Sequence, residues 1–225
     1  SMGKKIAIYG AGTIGACQAT LTSGNGYSTV VIGHSEEGLS RCRNTMLQNW
    51  NNLIAQKLAT AANRRAAMDL VTITNDVSAL RDCDIVFEAV SEDVNIKQRV
   101  YSIITEVCGR DIIVVSTTSS IDAAILAEKI ENPARFLIAH PFQPVHMLPL
   151  VEVVRHTETS EETLNQVCTL LKDLNRQVVM LNRSVPGFLV NRFAQALFRE
   201  SIYLIEQGIT TAADIDRAIK YAVGM

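Results

Sequence analysis

Short runs of consecutive apolar, often β-branched residues alternate along this chain with longer stretches whose apolar positions recur every three or four residues. The first kind reads as buried strand and the second as amphipathic helix, and their alternation builds a parallel sheet covered by helices. Lys4 to Tyr9 and Ser28 to Ile32 are the first two predicted strands, with a helix from Ile14 to Thr22 between them. Two parallel neighbours need such a crossover, and it is right-handed. Further strands are predicted at Val71 to Thr74, Asp84 to Ala89, Ile112 to Ser116, Phe136 to Ala139, Val151 to Val154 and Val178 to Leu181. The stretch from Glu36 to Met68 is too long for a simple crossover. Its spacing of Leu39, Met46, Trp50, Leu53 and Ile54 predicts a helical pair, around 36–68, that projects from the sheet.

Thr159 with Glu162 fits a capping box ahead of a helix whose apolar face is Leu164, Val167, Cys168, Leu171 and Leu174. After Leu181 the pattern changes. Pro186 suits the first turn of a helix, apolar residues from Phe188 to Ile205 cover much of its circumference, and Gly208 suits its end. Thr211 and Asp214 offer a cap for one more helix running towards Tyr221. The expected division is a sheet domain over 1–184 and the start of an all-helical C-terminal domain over 185–225. Two such helices cannot bury their broad apolar faces on each other alone, so a truncated domain or a packing partner is expected.

Composition narrows the partners. A formal net charge of −2 gives no concentrated basic face for nucleic acid. No apolar run approaches the roughly 18 residues of a membrane span. The five cysteines lie far apart without a CxxC pair, which suggests neither a disulfide framework nor a thiolate metal site. A reducing compartment fits that usage, with the cytoplasm as the default location.

Gly10-Ala11-Gly12-Thr13-Ile14-Gly15 follows a predicted strand and opens a predicted helix. That is the context of a dinucleotide-binding turn, and it makes the expected fold a Rossmann-type doubly wound α/β sheet. Gly10 permits the tight turn, Gly12 lets a pyrophosphate approach the helix N-terminus, and Gly15 lets helix and strand pack closely. An acidic residue that would bind the adenosine ribose is missing from the end of the second strand, where His34 and Ser35 stand. NADP is therefore open beside NAD, with Arg41 or Arg43 within reach of a 2′-phosphate. Glu36 or Glu37 could serve the ribose instead.

Ser119, His140, Glu152 and Asn191 are polar residues in apolar or turn-like surroundings. Ser119 and His140 follow predicted strands and should emerge at their carboxyl ends, where open α/β sheets hold ligands. Glu152 is flanked by Leu150, Val151, Val153 and Val154, and a carboxylate there needs a partner. His140 is the natural one, giving an oriented imidazole able to take an alcohol proton. Taken singly, His140 also reads as a turn histidine and Ser119 as a cap, whereas Asn191 is hard to explain as packing.

These stretches together, Ile8 to Gly15, Phe87 to Glu92 with Lys97, Ser116 to Ser120, His140 to Val154 and Pro186 to Arg192, resemble the 3-hydroxyacyl-CoA dehydrogenase family. The resemblance implies NAD(P)-dependent oxidation of a 3-hydroxyacyl-CoA, with His140 as base and Glu152 orienting it. It implies that Ser119 and Asn191 hydrogen-bond the substrate's C3 oxygen, that Glu92 and Lys97 lie beside the cofactor, and that the helical domain forms a homodimer. Thr117 and Gln143 stand where the family usually shows Asn. The segment from His140 to Glu152 is also similar to the branch acting on L-carnitine or L-gulonate and to lambda-crystallins. A small non-CoA hydroxy acid, and a nucleotide-binding structural role, therefore stand as alternatives. Lys57, Arg64 and Arg65 either meet CoA phosphates or form a solvated face.

Overall fold

A computed structural model describes residues 4–224. The chain divides into two compact units, Ser1–Ser184 and Val185–Met225. The first is built on strands β1 (Lys5–Tyr9), β2 (Ser28–Ile32), β3 (Val71–Thr74), β4 (Ile85–Glu88), β5 (Ile113–Ser116), β6 (Phe136–Pro141), β7 (Leu150–Arg155) and β8 (Gln177–Leu181). They form one eight-stranded sheet in the order β3-β2-β1-β4-β5-β6-β7-β8. Neighbours run parallel except β6 and β7, which are antiparallel. The reversal of strand order between β1 and β4 is the switch point at which doubly wound sheets open a crevice for ligands.

The strand sequences are near-continuous apolar runs because helices cover both faces. Ile6, Ala7 and Ile8 of β1 are all fully buried, as are Ile113 and Val115 of β5. Helix α1 (Thr13–Gly24) is itself buried along most of its length, although it carries Thr20, Thr22 and Ser23. Those hydroxyls are satisfied within the helix, Thr20 donating to the Ala16 carbonyl and Ser23 to that of Ala19.

Helices α2 (Glu36–Ala55) and α3 (Ala61–Asp69) form the predicted pair, but both lie against α1. The expected projection is confined to the exposed connection at 55–58. Trp50 explains the docking: a Cβ on Gly24 would sit only 3.2 Å from its indole, so the small residue admits the ring. Helix α4 (Val94–Cys108) is capped by Asp93, and the short α5 (Ala123–Ala127) by Asp122. Helix α6 (Glu161–Asp173) is capped by Ser160, not by Thr159. Thr159 instead donates its hydroxyl to the Phe136 carbonyl, tying the loop to β6.

In the second unit α7 (Val190–Glu206) begins four residues after Pro186, because Gly187 and Phe188 both adopt left-handed backbone. Thr211 caps α8 (Ala212–Ala218) by accepting the Asp214 N–H. Among the described residues no helix is long and apolar enough to cross a membrane, and no cluster of His, Cys, Asp and Glu could hold a metal ion.

Candidate active site

The glycine turn joins β1 to α1 at the switch point. Gly10 has φ +131°, and a Cβ there would lie 2.4 Å from the Ala89 carbonyl oxygen, so only glycine fits between the turn and the end of β4. A Cβ on Gly15 would sit on the Gly10 carbonyl. By contrast, one on Gly12 would meet nothing within 4 Å: the space above it is open. Gly12 is the N-cap of α1, which has no side-chain cap and no acidic residue in its first turn. The leading N–H groups of that turn, at Thr13 and Ile14, thus face a clear approach for an anionic pyrophosphate.

On one side of the turn lies a hollow of about 430 Å³ whose wall includes Tyr9, Gly33, His34, Asn75 and Val90. Its shape and position suit the adenosine half of a dinucleotide, and no carboxylate lines it. Ser35 does not join it, because its hydroxyl accepts the Gly38 N–H as N-cap of α2. Glu36 and Glu37 are exposed in the first turn of that helix.

On the other side is a cleft of about 270 Å³ where Ile14, Val90, Glu92, Lys97, Ser119 and His140 come together. His140 lies within β6, one residue before its end, rather than beyond the strand as the sequence suggests. Its Nδ1 is 3.0 Å from Oε1 of Glu152 on β7, a side chain only 1 % exposed. Where the Glu152 carboxylate accepts from Nδ1–H, the neutral ring carries its lone pair on Nε2. Phe142 packs against the imidazole at a ring separation of 4.8 Å and limits its tilt.

Glu92 organises the opposite wall. Its carboxylate accepts from the Thr118 hydroxyl at 2.9 Å, from the N–H and hydroxyl of Ser119 at 3.2 and 3.3 Å, and pairs with Lys97 at 3.2 Å. Partial burial pushes the acid up, but the Thr118 hydroxyl, the Lys97 charge and the Ser119 N–H outweigh it and hold Glu92 below the usual range. Ser119 itself is exposed at the cleft rim.

Ser119, His140, Glu152, Glu92 and Lys97 thus share one region with the glycine turn. Asn191 belongs to the second unit, exposed on the first turn of α7. Arg64 donates to Asn51 at 2.7 Å, within the helical pair. The sequence reading missed Glu88, fully buried at the end of β4 and ion-paired with Lys97. It also missed Arg176, which donates to the carbonyls of Val145 and Leu148 in the β6–β7 connection. Glu88 had a signal: like Glu152, it is a carboxylate inside an apolar run.

The NAD-binding domain of 3-hydroxyacyl-CoA dehydrogenase matches residues 5–184, and the C-terminal domain of the same enzymes matches residues 187–225. An L-carnitine dehydrogenase from Bacillus cereus is 31% identical over 99% of this chain and 67% of its own length. A 3-hydroxybutyryl-CoA dehydrogenase from Clostridioides difficile is 29% identical over 96% of this chain and 76% of its own. The crystal structure of (S)-3-hydroxybutyryl-CoA dehydrogenase from Ralstonia eutropha superimposes with TM-score 0.91 at 28% identity, covering 99% of this chain and 78% of that one. On the match through both domains, this chain belongs to the 3-hydroxyacyl-CoA dehydrogenase family.

Proposed function

We propose that the chain catalyses reversible oxidation of the C3 hydroxyl of a 3-hydroxyacyl-CoA to the 3-oxoacyl-CoA. The observation that carries this reading is the His140–Glu152 pair opening into the same cleft as Ser119, beside the glycine turn. His140 Nε2 accepts the hydroxyl proton, and Glu152 stabilises the imidazolium that results while keeping the ring in one orientation. Ser119, held through its backbone N–H by Glu92, turns its hydroxyl proton from that carboxylate to the C3 oxygen as negative charge gathers there. The chemistry supplied by a bound oxidised nicotinamide is acceptance of the C3 hydride.

The residues present fit such a cofactor, because Gly12 leaves the pyrophosphate space open and α1 offers uncapped N–H groups. We propose NAD as the working cofactor, with NADP also bound, since no carboxylate lines the adenosine hollow to repel a 2′-phosphate.

Two substrates separate the readings. Acetoacetyl-CoA reduced with NADH supports the acyl-CoA assignment; oxidation of L-carnitine alone would move it to a small hydroxy acid. Replacement His140→Ala is expected to lower turnover by at least about a hundredfold with dinucleotide binding kept. Unchanged turnover in that variant removes His140 from the mechanism.

A further inference from the structure

We propose that Glu88 is a positioning residue that ties the dinucleotide side of the cleft and its Ser119 wall to one buried ion pair. Its carboxylate, at the end of β4, is fully buried, and Lys97 from α4 is 1% exposed. Oε2 accepts from the Lys97 ammonium at 2.6 Å and from the Val90 N–H at 3.1 Å. Oε1 accepts from the Tyr101 hydroxyl at 2.5 Å and from Ser116 at 2.8 Å. Burial, then the neighbouring Glu88 charge, pushes the Tyr101 phenol up, so it serves as a donor. Lys97 spends its remaining protons on the Val90 carbonyl at 3.2 Å and on Glu92 at 3.2 Å.

The arrangement reaches in two directions. Towards the dinucleotide, Val90 has its N–H held by Glu88 and its carbonyl held by Lys97. Val90 lines both the adenosine hollow and the cleft, and it follows Ala89, whose carbonyl abuts Gly10. Towards the substrate, the Glu88 backbone carbonyl accepts the Thr117 N–H and hydroxyl, both at 3.0 Å. Ser116 passes the link on by accepting the Thr118 N–H at 3.2 Å while donating to Glu88. Lys97 holds Glu92, which gathers Thr118 and Ser119.

Charge is what makes Glu88 more than packing. Lys97 lies between two carboxylates, so its attraction is shared. With Glu88 neutral, Lys97 pairs with Glu92 alone, draws that carboxylate towards α4 and takes it from the Ser119 N–H that fixes where the hydroxyl stands. A purely structural polar cluster would affect stability without acting through Ser119.

This inference rests on the reading of Ser119 as the donor to the C3 oxygen. The test is a double-mutant cycle of Glu88→Gln and Ser119→Ala on single-turnover hydride transfer, with acetoacetyl-CoA and NADH or with L-carnitine and NAD, whichever is turned over. Ser119→Ala is expected to slow the step about a hundredfold. Glu88→Gln alone should slow it about tenfold, yet by less than about threefold in the Ser119→Ala background. Equal effects in both backgrounds, or a wild-type rate for Glu88→Gln beside a slow Ser119→Ala, overturn the inference and leave the Ser119 reading intact. A wild-type rate for Ser119→Ala overturns both. Should Glu88→Gln not fold, Tyr101→Phe removes one donor from Oε1 and enters the same cycle. It is expected to give a smaller slowing that likewise shrinks when Ser119 is absent, and equal slowing in both backgrounds overturns the inference.

Discussion

Glu152 stands directly across the sheet from His140, one residue of β7 against one of β6, and the two side chains meet at 3.0 Å. Opposed residues of an antiparallel pair project from the same face, so the backbone itself delivers the carboxylate to the imidazole. Replacement Glu152→Gln keeps the shape and removes the charge. Turnover is expected to fall by at least about a hundredfold, with KM changed far less. Steady-state kinetics check this, and a change confined to KM would show that Glu152 serves binding only.

Gly10 and Gly12 should respond differently to alanine. At Gly10 the new Cβ meets the Ala89 carbonyl at 2.4 Å in left-handed backbone, so Gly10→Ala is expected to cost more than about 1 kcal/mol of stability and to weaken dinucleotide binding. At Gly12 the Cβ meets only open space, so Gly12→Ala should keep the melting temperature while still weakening binding. Thermal melts and fluorescence titration of both variants test the contrast; equal melting losses would contradict it.

Placing a carboxylate at the adenosine hollow should sharpen cofactor choice. His34 is exposed and lines that hollow, so His34→Asp is expected to raise the preference for NAD over NADP by at least about tenfold through repulsion of the 2′-phosphate and hydrogen bonding to the ribose. Parallel titrations with the two dinucleotides measure it. No change in their ratio would place the ribose elsewhere.

Arg176 fastens the β6–β7 connection through the Val145 and Leu148 carbonyls, each at 2.9 Å. Its guanidinium is pulled down by burial, and burial followed by the Arg176 charge pushes His146 down, favouring the neutral imidazole. Arg176→Met is expected to lose about 1–3 kcal/mol and to speed amide exchange at Met147 and Leu148, with Arg176→Lys restoring part of it. Unaltered exchange at those amides would dismiss the clamp.

Glu92 gives a pH dependence with a definite sign. Its acid is held below the 4.5 of an unperturbed glutamate, so its contribution to stability is present above that pH and lost as pH falls through the lower folded value. Urea midpoints of wild type and Glu92→Gln should differ at neutral pH and converge in acid. A gap that persists in acid would refute the assignment.

Much of this was legible from residues alone. The strands were readable because apolar β-branched runs such as Val30 to Ile32 are buried on both faces. The His140–Glu152 pair was readable because a carboxylate among valines needs a partner. Strand direction was not: nothing local in Leu150 to Arg155 says that β7 runs against β6. Thr159 and Ser160 are both able to cap α6, and only the tertiary bond from Thr159 to Phe136 decides between them. Glu88 escaped notice because its partner Lys97 sits nine residues on, in a helix whose buried face the sequence reading did not mark. Asn191 lies in the other unit, where no local pattern links it to the cleft.

The single reversal of strand direction carries an evolutionary corollary. Side chains alternate faces along β7, so a slip by one residue would turn Glu152 away from His140 and bring Val151 or Val153 opposite it instead. Insertions and deletions near the loop at 142–149 therefore survive only when the loop absorbs them, because an odd displacement turns Glu152 to the other face and an even one keeps the face but carries it away from His140. Register, more than length, is the hereditary constraint on that stretch of chain.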